Sequence, residues 1–105
     1  MGIRLDVNIR GEVTVVSVGG NIKSSADASM IRSAIQKIAE EGAEEEIVLE
    51  IKDSFIITSS VIGFLVKFIS KDKLNISLEI GNPELYTMLE EMELHRLFRA
   101  RKVAL

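Results

Sequence analysis

Apolar side chains recur in this chain with two different periods, and the order in which those periods alternate restricts the fold more than any other feature. Ile3, Leu5, Val7 and Ile9 alternate with Arg4, Asp6, Asn8 and Arg10, the pattern of a strand with one buried face. Arg10-Gly11-Glu12 turns the chain, and Val13 to Val18 read as a more uniformly apolar partner strand. After the Gly19-Gly20-Asn21 break the period changes to that of a helix. Ser24 and Asp27 form a capping-box-like start. Met30, Ile31, Ala34, Ile35 and Ile38 share one face, opposite Arg32, Ser33, Gln36, Lys37 and Glu40. Glu41-Gly42 ends this helix and Glu44-Glu45-Glu46 reads as a solvated connection.

Ile47, Leu49 and Ile51 mark a third strand, and Leu74, Ile76, Leu78 and Ile80 a fourth, with Asn75, Ser77 and Glu79 pointing the other way. A helix from about Ser59 to Ser70 lies between them. A last helix has Asn82 as N-cap and Pro83 in its first position, burying Leu85, Met88, Leu89 and Met92. Leu97, Phe98 and Val103 suggest a short closing strand. The order is β-β-α-β-α-β-α(-β): an α/β chain with a mixed sheet of four to five strands. Polar residues on one side of the first and fourth strands, with Glu50 on the third, predict helices mainly on one face and a largely solvated opposite face. No linker or internal repeat divides residues 1–105, so a single domain is expected.

Composition narrows the chemistry. Among 105 residues there is no cysteine and one histidine, which excludes a disulfide scaffold, a thiol nucleophile and a multi-histidine metal centre within one chain. Thirteen basic against sixteen acidic residues, net −3, argue against nucleic acid as a partner. Arg96, Arg99, Arg101 and Lys102 read as a solvated chain end. The N-terminal residues carry no secretory pattern, Asp6 stands where a myristoylation signal after Gly2 has Ser or Thr, and no apolar run is long enough to insert in a membrane. A cytoplasmic protein is the expectation. Glycine-rich phosphate cradles are absent, His95 has no serine placed beside it by the pattern, and Glu90-Glu91 lies in a polar setting that would not separate two carboxyl pKa values. The expectation is a non-enzyme with no cofactor and no metal.

The informative segment runs from Ile47 to Lys71. A strand passes through a polar break into Ile56-Ile57, and Thr58-Ser59-Ser60 then opens a helix. The simplest reading of these hydroxyls is capping of free helix amides. On the helical wheel Val61, Ile62, Leu65, Phe68 and Ile69 form the buried face, and Ser59, Ser60, Gly63, Lys67 and Ser70 the opposite one, with Phe64 and Val66 at its margins. A small, weakly polar face bounded by apolar side chains suits a partner docking closely over Gly63. It equally suits plain packing of a loop against the glycine.

This segment resembles the signature of the STAS family, the bacterial anti-sigma factor antagonist domain, in which a strand and short loop lead into Asp-Ser-Ser/Thr-Gly-Leu-Gly and an apolar helix. The chain reads Thr58-Ser59-Ser60-Val61-Ile62-Gly63, then Phe64-Leu65. The opening hairpin, the turn at Gly20, Gly81-Asn82-Pro83 before the Leu85/Leu89 helix, and Leu94 agree in order and spacing. The resemblance implies a module that binds an ATP-dependent serine-kinase anti-sigma factor and is switched off by phosphorylation at Ser59, with Thr58 and Ser60 as alternative acceptors and a phosphatase as a further partner. Thr58, Ser60, Gly63, Phe64, Val66 and Lys67 would meet the partner. Thr58 replaces the signature Asp and Val61 the signature Gly, which favours the alternative of a constitutive scaffold, as in a signalling complex or lipid-transporter subunit. A nucleotide or small-molecule sensor at the dipole end near Ser59 is a third option. An uncovered sheet face and the apolar-rimmed helix each offer a surface for a homodimer.

Overall fold

The chain opens with an antiparallel hairpin, β1 (Arg4–Arg10) and β2 (Val13–Gly19), in the computed structural model, which describes residues 2–41 and 46–104. Its two-residue loop, Gly11-Glu12, has φ +62° at Gly11, the left-handed value that a tight turn matched to strand twist requires at its first position. The sheet continues with β3 (Glu46–Ile51), β4 (Ile76–Ile80) and β5 (Ala100–Lys102), each parallel to its neighbour, in the order β1-β2-β3-β4-β5. Parallel neighbours need crossovers, supplied by α1 (Ser25–Glu40), α2 (Ser59–Val66) and α3 (Pro83–Glu91). Among the described residues the result is a mixed α/β fold with a five-stranded sheet and three α-helices.

Side chains alternate between the sheet faces. Val16, Val18, Leu49, Ile51, Leu78 and Ile80 join Ile31, Ile35, Leu65, Phe68, Leu85 and Leu89 from the helices in one apolar cluster, so the helices cover one face. Among the described residues no helix is long and apolar enough to cross a membrane.

Each helix starts where its capping residues stand. Ser24 and Asp27 form the full reciprocal capping box of α1, and the Asn82 side chain accepts from Glu84 and Leu85 ahead of Pro83. Asp27 does more than cap. It is buried, and it accepts from the amides of Lys23, Ser24 and Ile3, tying the start of the chain to the start of α1.

Several expectations are corrected. The apolar side of β1 is covered only at Ile3 and Leu5. Val7 and Ile9 lie toward the hairpin end, beyond the helix layer, and are exposed. Met30 and Met92 are exposed as well, Met30 on a flank of α1 and Met92 as the C-cap of α3. The closing strand is Ala100–Lys102, while buried Phe98 precedes it in a turn. Arg96, Arg99, Arg101 and Lys102 are exposed, as expected of a chain end, but the last three also make contacts: Arg101 holds Glu79 at 2.6 Å and Arg99 bonds Asn75. Lys102 lies 5.4 Å over the Tyr86 ring.

The face without helices is likewise less solvated than its polar pattern predicts. Val15, Val48, Ser17, Ser77 and Glu79 are all buried there. Arg10 reaches across β2 and β3 to Glu79 at 3.5 Å, Ser17 donates to Glu50 and Ser77 to Glu46, so long polar side chains roof the strands with their stems. Of the acidic run, Glu44 and Glu45 lie outside the described residues, as does Gly42 at the predicted helix end. Glu46 begins β3.

The Lys23 amide, together with the other donors, holds the Asp27 carboxyl below its ordinary range against the opposing effect of burial. A lowered native pKa adds stability above the unfolded value of about 3.9, and that contribution is lost as pH falls through this range to the lower native value. Asp27→Asn is therefore expected to be less stable than wild type near neutral pH and to lose less on acidification. Denaturant titrations of both proteins at a series of pH values below neutral will show whether the curves converge.

Candidate functional site

The first turn of α2 is held in place by a loop network that begins at the ends of β2 and β3. Asp53 accepts from the Gly20 amide at 2.8 Å, and Asn21 accepts from the Phe55 amide at 3.4 Å. Between them Ser54 is fully buried: its hydroxyl accepts from the Ile22 amide at 3.0 Å and donates to the Ile56 carbonyl at 2.6 Å. Gly20, with φ +93°, in the left-handed region that other side chains rarely adopt, lets the first loop enter this arrangement. The two crossover loops are thus stitched together, and Ile57, also buried, leads the chain into α2.

Thr58 is the N-cap. Its Oγ1 accepts from the Val61 amide at 3.3 Å, and its carbonyl accepts from the Ile62 amide. The capping reading of the hydroxyl cluster is therefore right for Thr58 and not for its neighbours. Ser59 and Ser60 are exposed, and neither hydroxyl makes a hydrogen bond among the described residues. Ser59 stands in the first turn, where helix amides lack intrahelical acceptors and the macrodipole is positive.

Beyond that turn the exposed face carries Gly63 and Lys67. A Cβ built on Gly63 meets nothing within 4 Å, so the glycine is not there to admit a loop or another helix of this chain. Lys67 pairs with Asp72 at 3.4 Å, both well exposed, and its ammonium lies 5.8 Å over the Phe68 ring. An exposed pair of this kind contributes about 0–1 kcal/mol, which leaves the charge available to another molecule. The helix changes form here: Lys67–Lys71 is a π-helical turn closed by Asp72 N–H donating to the Lys67 carbonyl, so the predicted helix to Ser70 is α-helical only as far as Val66.

Phe64, expected at the margin of the docking face, is buried against Phe68 with ring centroids 5.7 Å apart, and it leaves the candidate surface. A helical wheel gives the direction of this marginal residue but not the neighbours found there, and Phe68 is one of them. Val66 is half-buried and keeps a rim position, and Ile62 and Ile69, predicted in the core, are half-buried as well. Val61 is fully buried, so the residue that replaces the signature Gly points into the core and does not crowd the exposed face. One residue was missed. Phe55, 47% exposed, stands in the stitched loop ahead of Thr58. An isolated aromatic inside the polar break after a strand was its signal in the sequence.

His95 is half-buried, edge-on to Tyr86 at 6.4 Å, and its Nδ1 is buried without a hydrogen-bond partner. It is not brought to Ser59. With this geometry in hand, no model of a known protein family and no characterised protein matches the chain in sequence.

Ser54→Ala is expected to cost about 1–3 kcal/mol, because it strands a buried amide and a buried carbonyl together. Gly63→Ala is expected to stabilise by about 1 kcal/mol, the helix-propensity difference with no clash to offset it. Chemical denaturation of the two variants against wild type checks both signs.

Proposed function

We propose that this chain is a regulatory protein-binding module of the STAS type, an anti-sigma-factor-antagonist-like domain that engages a serine-kinase anti-sigma factor through the exposed face of α2 and is released when Ser59 is phosphorylated. The observation that carries the reading is the division of labour at the helix start: Thr58 does the capping, and the Ser59 hydroxyl beside it is exposed and unbonded. The element order, a hairpin followed by three crossovers onto a mixed sheet, supports the STAS resemblance of the Thr58–Leu65 segment. On this reading the protein is cytoplasmic and not itself an enzyme. The kinase brings ATP, magnesium and the base, and this chain contributes the hydroxyl.

The energetics favour a switch over a structural change. A phosphate adds about −1.5 to −2 charges and three acceptor oxygens. At the first turn of a helix the positive dipole end favours it by about 0.3–1 kcal/mol, so the fold tolerates the modification. In an interface packed over Gly63 and rimmed by Val66 and Ile62, removing that charge from water costs several kcal/mol, and binding is lost. The open space over Gly63 supports close docking, since a glycine in mid-helix otherwise only weakens the helix.

A second reading, constitutive binding without phosphorylation, is favoured by one residue. Thr58 caps as the signature Asp would but places no carboxylate beside the acceptor.

A quantitative pull-down from the native lysate, with wild type, Ser59→Ala and Ser59→Asp as baits and phosphosites mapped in the same samples, separates the two. A kinase-type protein held by wild type and Ser59→Ala but released by Ser59→Asp supports the switch, with phosphate found on Ser59 and not on Thr58 or Ser60. Equal retention by all three baits, without phosphate, identifies a constitutive adaptor. Lys67→Glu is expected to weaken partner binding at least several-fold on either reading. If it is silent, the interface lies elsewhere.

A further inference from the structure

Among the described residues nothing pairs with the outer edge of β1, and the side chains there are unusually bare for a strand: Val7 is 51% and Ile9 75% exposed. An edge strand offering free amides and carbonyls beside β-branched side chains is a template for a further strand. Which backbone groups face outward follows from the hairpin. Arg10 and Val13 close the two-residue loop as a hydrogen-bonded pair, so Arg10, Asn8, Asp6 and Arg4 direct their amides and carbonyls to β2. Leu5, Val7 and Ile9 direct theirs to the free edge.

Charge then discriminates among the ways a second β1 can add antiparallel to the first. If the two-fold axis passes through Asp6, that carboxylate faces its own copy. Through Val7, Arg4 faces Arg10, and through Ile9 only Asn8 to Arg10 can pair, because the chain turns away at Gly11-Glu12. An axis through Leu5 pairs Arg4 with Asp6 but leaves Ile9, the barest apolar residue of the strand, outside the ladder. An axis through Asn8 removes every conflict. Asp6 faces Arg10, a pair that occurs twice by symmetry, while Val7 faces Ile9 on the helix side. Opposite charges directly across a ladder stabilise it and like charges destabilise it.

Nearby side chains fit that arrangement. Arg10 contacts Glu79 at 3.5 Å with more than half of its side chain exposed, and Arg101 holds the same carboxylate at 2.6 Å. Arg10 can therefore turn to Asp6 of a second copy without leaving Glu79 uncompensated. On the helix side, Arg32 and Gln36 line a cavity of about 210 Å³ with Lys67 and Phe68, which identifies the flank of α1 facing α2. Exposed Met30 lies on the opposite flank, toward the β1 end of the sheet, and extends the apolar strip of Val7 and Ile9.

We infer that β1 pairs antiparallel with β1 of a second copy of this chain, with the two-fold axis at Asn8, joining the two sheets into one. The interface is isologous, as a two-fold contact must be, and its register is chosen by the two Asp6–Arg10 pairs between the copies. It does not rest on the role proposed for Ser59, and its test reads association and not phosphate.

Because the chain has no cysteine, single Cys variants report the register directly. A residue on the two-fold axis faces itself, and in a non-hydrogen-bonded antiparallel pair the Cα atoms are about 4.5 Å apart, within disulfide range. Mild oxidation of Leu5→Cys, Asp6→Cys, Val7→Cys, Asn8→Cys and Ile9→Cys is expected to yield covalent dimer with Asn8→Cys in clear preference. In sedimentation equilibrium, wild type is expected to dimerise reversibly. Asp6→Arg and Arg10→Asp are each expected to lose the dimer, and the double swap to regain it, with circular dichroism confirming that each is folded. A wild type that stays monomeric at the highest concentration, preferential cross-linking at another of the five positions, or failure of the double swap to restore association overturns the inference.

Discussion

Much of the arrangement around α2 depends on one hydroxyl. Ser54 lies between the ends of β2 and β3 with no exposed surface, accepting from Ile22 and donating to Ile56. Loops after parallel strands carry backbone groups that no ladder satisfies, and a buried one must find a partner or cost stability. Asp53 and Asn21 close two more such gaps on either side. With the two loops locked, Thr58 arrives where it can cap α2, and Ser59 arrives exposed. The chemistry proposed for Ser59 thus rests on a residue that never touches a partner.

A second constraint is the imbalance between the two sheet faces. Helices and an apolar cluster cover one of them, while the other is closed by its own charged side chains, Arg10 and Arg101 meeting at Glu79. Such a roof shields the strands below it and leaves polar groups at the surface. At β1 neither kind of cover is complete, because the helix layer stops short of Val7 and Ile9. The two surfaces assigned to partners, the face of α2 and the edge of β1, are both places where the chain leaves its own structure unfinished.

Legibility in the sequence followed the range of the interaction involved. The capping box at Ser24 and Asp27 and the Asn82-Pro83 start act over three or four residues, and both stand where the pattern put them. Phe64, Met30 and Met92 were misassigned because a helical wheel supplies a direction but not the neighbours that lie in it. The polar break after Ile51 announced a loop, yet nothing in it indicated that Ser54 would be buried and Phe55 exposed. That difference comes from Asn21 and Ile22, more than thirty residues earlier in the chain.

The sequence by itself determined the alternation of strands and helices, the helix starts and the side of each strand that is apolar, since these follow from backbone period and local hydrogen bonding. It also placed three hydroxyls at one helix end. Only the tertiary structure decided which of them is spent on the fold and which is exposed, that Gly63 faces open space, that Arg10 crosses two strands to an acid on β4, and that β1 ends the sheet with its apolar residues bare. Those outcomes depend on how far each element extends over its neighbours. Lateral extent is a property of packing between segments distant in the chain, and no local pattern encodes it.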